Sequence, residues 1–166
     1  MLILGIDPGL RATGYGGIEL VGSAVRLAEA GVIRTTESAP LFKRLSELAA
    51  GLSEVIAAVQ PQVMVVESLY SHYKHPRTAI LMGHARGVVI LVAAQRGIPV
   101  FDYPATRIKK ALTGNGRAPK LQMQRAILGL FNLKCLPQPP DVADALAVAA
   151  CHANVVRHQR LTGVIE

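Results

Sequence analysis

The chain contains no tryptophan, and aromatic residues fill only 4% of its 166 positions, so Val, Ile, Leu and Ala must form the core. Hydrophobic residues make up 51% of the chain, enough to do so. Cysteine is almost as scarce. Cys135 and Cys151 form no CxxC pair and no zinc-type spacing, and they read as reduced, largely structural thiols of a cytoplasmic protein. Long apolar runs are missing too. The longest, from Gly87 to Ala94, is bounded by Arg86 and Arg96 and falls short of the ~20 residues a membrane span needs. No basic n-region with an apolar h-region opens the chain, so no signal peptide and no membrane association are expected. No repeat, low-complexity tract or linker divides residues 1–166, which are expected to form a single domain. Acids are outnumbered, 11 against 18 Lys and Arg, for a net charge of +7. On a small domain that excess points to a polyanionic partner.

What is present falls into an order. Leu2–Asp7, Gly14–Leu20 and Val25–Arg34 read as three strands, with Val21-Gly22-Ser23 a turn between the last two, which suggests an antiparallel meander. Leu41, Leu45, Leu48, Leu52, Val55, Ile56 and Val59 recur at helical spacing, predicting a helix from about Pro40 to Val59 that Pro61 ends. Gln62–Glu67 reads as a buried strand. Thr78–Arg96 reads as a helix apolar on nearly all sides, to be buried deeply or packed against another subunit. Ile98–Phe101 is a last short strand. Pro104 opens a helix that stops at Gly114, Lys120–Leu130 forms another, and Asp141–Arg157 the last. This is an α/β pattern in which a mixed five-stranded sheet is flanked by helices, the order of the ribonuclease H-like architecture.

Four carboxylates stand in awkward places. Asp7 ends the first strand and Glu67 the strand Val63–Val66, both where sites form in open α/β sheets. If those strands are neighbours, the two like charges repel and favour a cation between them. Asp141 and Asp144 share a face at the start of the last helix. Asp141 alone is accounted for by the helix dipole. Asp144 is the one charge in "VADALAVAAC", with no basic residue within a turn of it, and a charge on a core-facing helix costs several kcal/mol unless paired or coordinated. Hard oxygen donors without His or Cys indicate Mg²⁺ or Mn²⁺. Two such ions about 3.5–4 Å apart would clamp an in-line phosphodiester cleavage. The turn Pro8-Gly9 then swings the backbone away from Asp7, and Gly9, Gly14 and Gly16 are expected to leave room for substrate phosphate.

The stretches "GIDPGLRATGYG", "VVESLY", "GHARG", "PATRIKKALTGNGRAPK" and "DVADALAVA" stand in the order and spacing of the RuvC family of bacterial Holliday junction resolvases, which the chain resembles from Leu4 to about His152. The resemblance implies a homodimeric, Mg²⁺-dependent endonuclease that nicks two opposing strands of a four-way DNA junction. Such an enzyme serves recombination and repair beside the branch-migration proteins RuvA and RuvB. It implies Asp7, Glu67, Asp141 and Asp144 as metal-binding catalytic acids, with Lys109 and Lys120 near the scissile phosphate. Tyr70 stands where the family typically has Phe, and Ser68 where many members have Gln.

Six basic residues and no acid lie between Arg107 and Arg125: Arg107, Lys109, Lys110, Arg117, Lys120 and Arg125. They flank a Gly/Pro loop and are expected to hold DNA phosphates, with Lys120 stabilising charge on the reacting phosphate. Residues 70–77 interleave aromatic and basic side chains. Tyr70 is expected to stack beside an unpaired base while Lys74 and Arg77 hold phosphates. His72 and His75 lack further ligands for a metal site, and Tyr73 has an ordinary loop reading. His84 and His152, on apolar helices, read as core residues. Three rivals remain from the residues alone. An actin-like or Hsp70-like ATPase needs a second lobe that this length cannot hold. Another ribonuclease H-like nuclease would act on RNA or other branched DNA. A junction-binding scaffold would lack one of the acids.

Overall fold

The computed structural model describes residues 1–68 and 76–163. Strands β1 (Leu2–Asp7), β2 (Ala12–Val21) and β3 (Ala24–Arg34) form the expected antiparallel meander, turning at Gly22, whose φ of 58° suits glycine. Helix α1 (Leu41–Val59) follows and ends on Gln60 in the left-handed region, just before Pro61. Strand β4 (Val63–Glu67) then pairs parallel with β1, which puts β1 at the sheet's centre. Helix α2 (Pro76–Gln95) crosses to β5 (Val100–Tyr103), the parallel edge strand. The order across the sheet is β3-β2-β1-β4-β5. The fifth strand lies two residues later than the sequence suggests. Gly97, at φ 67°, and Pro99 keep the chain in a turn until Val100 reaches its partner Met64.

Period-two alternation sorts the sheet's side chains into two cores. Leu4, Ile6, Met64 and Val66 face α1 and α2. Ile3, Ile18 and Val65 face α5 (Pro140–Leu161), against which α3 (Ala105–Thr113) and α4 (Lys120–Leu130) also pack. Pro104 and Gly114 bound α3 as expected, Gly114 taking the left-handed C-cap. Helix α5 runs four residues past the sequence estimate, because nothing breaks it before Gly163 and His158 and Arg160 suit its C-terminal turn.

Three glycines fix how close α5 lies to the sheet. A Cβ on Gly5 would collide with the carbonyl oxygen of Ala145, one on Gly14 with that of Asp141, and one on Gly16 with the side chain of Leu146. Gly14 pairs with Asp7, and Gly16 with Gly5. The strands thus present a bare floor on which the first turns of α5 rest. This corrects the expectation that Gly14 and Gly16 leave room for phosphate: the helix fills that room. Gly9 serves the turn itself, where a Cβ would strike the carbonyl of Ala12.

Helix α2 meets its expectation only in part. Ala85, Val89, Val92 and Ala93 are buried against the sheet and α1. Ile80 is 61% exposed and Leu91 55%, and among the described residues nothing lies within 4 Å of where a Cβ on Gly83 or Gly87 would stand. Taken whole, Arg77–Gln95 is long and apolar enough to cross a membrane by length and composition, although its longest uninterrupted run is not. Ala85, Val89, Val92 and Ala93 on its inner side are used within the fold. His84 is exposed, not a core residue. His152 is buried as expected, with Tyr103 Oη 2.8 Å from its Nδ1.

Candidate active site

β1 and β4 are parallel neighbours paired through Ile6 and Val66, so Asp7 and Glu67 end adjacent strands at the same edge of the sheet. The glycine floor brings the first turns of α5, with Asp141 and Asp144, against that edge. Asp7 therefore lies within electrostatic reach of Glu67, Asp141 and Asp144, four carboxylates from three elements at one edge. The turn after Asp7 is pinned by Thr13, whose Oγ1 donates to Gly9 O at 2.7 Å and lies 3.2 Å from Gly9 N. The strand end beyond Glu67 is pinned by Ser68, whose Oγ donates to Asp102 Oδ2 at 2.8 Å. Arg86 on α2 stands 3.6 Å from that same carboxylate.

The electrostatics record the crowding. Burial, then the charges of Asp144, Glu67 and Asp141, push the Asp7 carboxyl up to about 7, against a weaker downward pull from Lys120. Glu67 is also raised, by burial and then by Asp144, while Lys109 opposes the rise. Lys120 Nζ donates to Asp144 Oδ2 at 2.9 Å, and this bond above all raises the Lys120 ammonium's pKa. That ion pair, across 24 positions of sequence, supplies the partner that no residue within a turn of Asp144 provides. Helical spacing reveals partners one turn away; this partner arrives through the packing of α4 on α5.

Lys109 and Lys120 join Glu67 and Asp144 around a cavity of about 210 Å³. Arg107 instead lies over the Tyr103 ring at 4.7 Å. Lys110, Arg117 and Arg125 are exposed and form no ion pair among the described residues. Arg77 is exposed at the start of α2. Tyr70 and Lys74, like His72, Tyr73 and His75, lie outside the described residues. On the other flank, a cleft of about 610 Å³ runs from Asp141 past Gly9 to Arg11, Arg34 and Arg44. The sequence reading passed over these three arginines; Arg11 lies within the "GIDPGLRATGYG" stretch and was the available signal.

Among the described residues, no three His, Cys, Asp or Glu side chains are drawn together tightly enough to enclose an ion as they stand. The donor set nonetheless fits a hard divalent cation. It is all oxygen, and its acids raise one another's proton affinity, so a cation among them would relieve repulsion that Lys120 and Lys109 only partly offset. Cys135 and Cys151 are both free; Cys135 is exposed rather than structural, and burial pushes the Cys151 thiol up to about 11.

A family model described as Crossover junction endodeoxyribonuclease RuvC matches residues 3–152. A protein of that name from Rhodopirellula baltica is 55% identical over 149 residues, covering 90% of this chain and 84% of the relative. Another, from Desulforamulus reducens, is 46% identical over 154 residues, covering 93% of this chain and 94% of the relative. The structure is similar to that of T. thermophilus RuvC in complex with a Holliday junction substrate. Its TM-score is 0.89 at 33% identity, covering 95% of this chain and 96% of that one.

Proposed function

The chain belongs to the RuvC family of crossover junction endodeoxyribonucleases, and from that premise we propose how its own residues resolve a four-way DNA junction. The observation that carries the mechanism is the gathering of four carboxylates at one sheet edge by β1, β4 and α5, where burial and then the neighbouring acids push the Asp7 carboxyl upward. Asp7, Glu67, Asp141 and Asp144 would hold Mg²⁺, two ions per site, or Mn²⁺ in its place. When bound, such ions activate water and stabilise the leaving oxygen of a phosphodiester.

The protein's part is positioning and charge. Asp7 and Glu67 are fixed by the β1–β4 ladder, and Asp141 and Asp144 by a helix seated on backbone. Rigid ligands of this kind need little reorganisation when charge develops at the phosphate. Lys120, already charged beside Asp144, stabilises the phosphate's added negative charge, and Lys109 holds the strand at the Glu67 side. Arg107, Lys110, Arg117 and Arg125 extend the contact along the DNA backbone, while Tyr70, Lys74 and Arg77 engage the crossover.

A homodimer follows from α2. Its bare outer side, with Ile80 and Leu91 exposed and open space at Gly83 and Gly87, suits a second copy, and a two-fold axis gives two sites for two opposing nicks. The reading includes a cytoplasmic location, in keeping with two free thiols, and RuvA and RuvB as partners in recombination and repair.

Cleavage of a labelled junction by wild type and Asp7→Asn, with binding measured in Ca²⁺, tests the site. Asp7→Asn is expected to bind the junction as well or better and not to cut it. Near-normal cutting by the variant would refute the assignment.

A further inference from the structure

The acid cluster repels the polyanion that must lie across it. Lys109 and Lys120 oppose that repulsion on the Glu67 and Asp144 side only. A strand held from one side of an acidic trough would be pulled off centre. The other side is the cleft that begins at Asp141, and its walls carry Arg11, Arg34 and Arg44.

These three arginines are not equivalent. Arg44 is committed to the scaffold. Its Nε donates to Thr35 Oγ1 at 3.0 Å and one terminal nitrogen to Leu10 O at 3.1 Å, bracing the turn after β1 against the end of β3. Arg11 and Arg34 are exposed. Arg34 pairs across the sheet with Ala12, the residue after Arg11, so the two arginines arise side by side at one rim. Arg11 has an ion-pair partner in Glu37, with Nε 2.6 Å from Oε1, and the side chains are 76% and 59% exposed. Exposed pairs of this kind contribute little, so an arriving phosphate can replace the carboxylate at small cost.

We propose that Arg11 and Arg34 form a second phosphate-binding bank. It holds the phosphodiester backbone of the cleaved strand on the Asp141 side of the reacting phosphate, and Glu37 acts as a competing latch on Arg11. This rests on the junction-nicking function above and adds the path of the strand. The scissile link lies between two cationic walls, Lys109 and Lys120 on one flank and Arg11 and Arg34 on the other. Arg44 fixes the height of the second wall without itself being needed as a contact.

The test uses the full chain as wild type, Arg11→Ala, Arg34→Ala, the double variant and Glu37→Gln. Junction binding is measured in Ca²⁺ over a range of salt, and melting temperature controls for folding. The slope of log affinity against log salt is expected to fall by about one for each arginine removed and about two in the double variant. Glu37→Gln is expected to tighten binding at low salt by up to about fivefold, the scale of an exposed ion pair, and to have no such effect when Arg11 is Ala. A misfolded protein would not gain affinity, so this arm separates a contact from a structural role. Wild-type nicking of the junction with unchanged slopes in the folded variants and a neutral Glu37→Gln overturns the second bank alone. Failure of the wild type to bind or cut a junction overturns the parent reading, and this one with it.

Discussion

Helices α2 and α5 look alike in sequence. Both are long, both are apolar on almost every side, and neither has an amphipathic stripe to orient it. The fold treats them oppositely. α5 lies on bare glycine backbone, is flanked by α3 and α4, and buries twelve residues. α2 packs against α1 and β5 and leaves Ile80 and Leu91 in solvent. An apolar helix needs partners on all sides. α5 finds them within the chain; α2 finds them on one side only. The charges differ in the same way. The acids of α5, Asp141 and Asp144, sit at its docked end and its basic residues His158 and Arg160 in its last turn, while Arg86 of α2 stands by the Asp102–Ser68 contact beside that site.

The contrast is broken most severely at the docked end of α5. Asp144→Asn is expected to reduce junction cleavage to the background of the assay while junction affinity in Ca²⁺ holds or improves. Single-turnover kinetics and a binding titration check both halves, and residual cleavage near the wild-type rate would separate Asp144 from the chemistry. Lys120→Ala, which removes its ion-pair partner, is expected to cost about 2.7–4 kcal/mol of transition-state stabilisation, or roughly two to three orders of magnitude in rate. Binding should fall far less. Equal losses in rate and affinity would make Lys120 only another phosphate clamp.

Asp7 gives a pH signature in the protein without metal. Its carboxyl, pushed up to about 7 in the folded chain, lies above the ordinary 3.8 of an aspartate, so the folded state binds the extra proton between those pH values. The stability this provides is present in full below about pH 4 and is lost as pH rises through about 7. At pH 8 in chelator, Asp7→Asn should therefore be more stable than wild type by up to about 4 kcal/mol, and near pH 4 by little. Urea melts at the two pH values read this directly. A pH-independent difference would mean that the Asp7 carboxyl is neither buried nor crowded by the other acids.

The smallest effect separates the two sides of α2. Val89→Glu puts a charge in the core and should unfold the chain, at a cost of several kcal/mol. Leu91→Glu, two residues on, should leave the monomer's melting temperature within a few degrees of wild type and abolish the dimer in sedimentation. A Leu91→Glu dimer at micromolar concentration would move the interface elsewhere.

These contrasts also show what a sequence discloses. Elements with their own punctuation were legible to within a residue or two: the meander with its Gly22 turn, α3 between Pro104 and Gly114, α4 from Lys120. So were the four acids, because Asp7, Glu67 and Asp144 end or interrupt apolar elements and the motifs around all four are distinctive. What depended on distant partners was not. β5 starts where Met64 meets it, and no residue in Ile98–Phe101 announces that register. Gly14 and Gly16 were rightly singled out, but a glycine says only that something comes close, not whether it is a helix or a substrate. The Lys120–Asp144 pair and the Arg11–Arg34 rim join residues 24 and 23 positions apart, beyond any local periodicity.

The central claim is that the acids at the joined ends of β1, β4 and α5 make this chain a metal-dependent nuclease of four-way junctions. It is tested most directly by incubating the purified protein with an end-labelled four-way junction and with linear duplex of the same sequence, each with Mg²⁺ and with chelator. The account predicts nicks at matched positions on two opposing strands of the junction, only with Mg²⁺, and no comparable cutting of the duplex. Cutting in chelator, or equal cutting of duplex and junction, would contradict it.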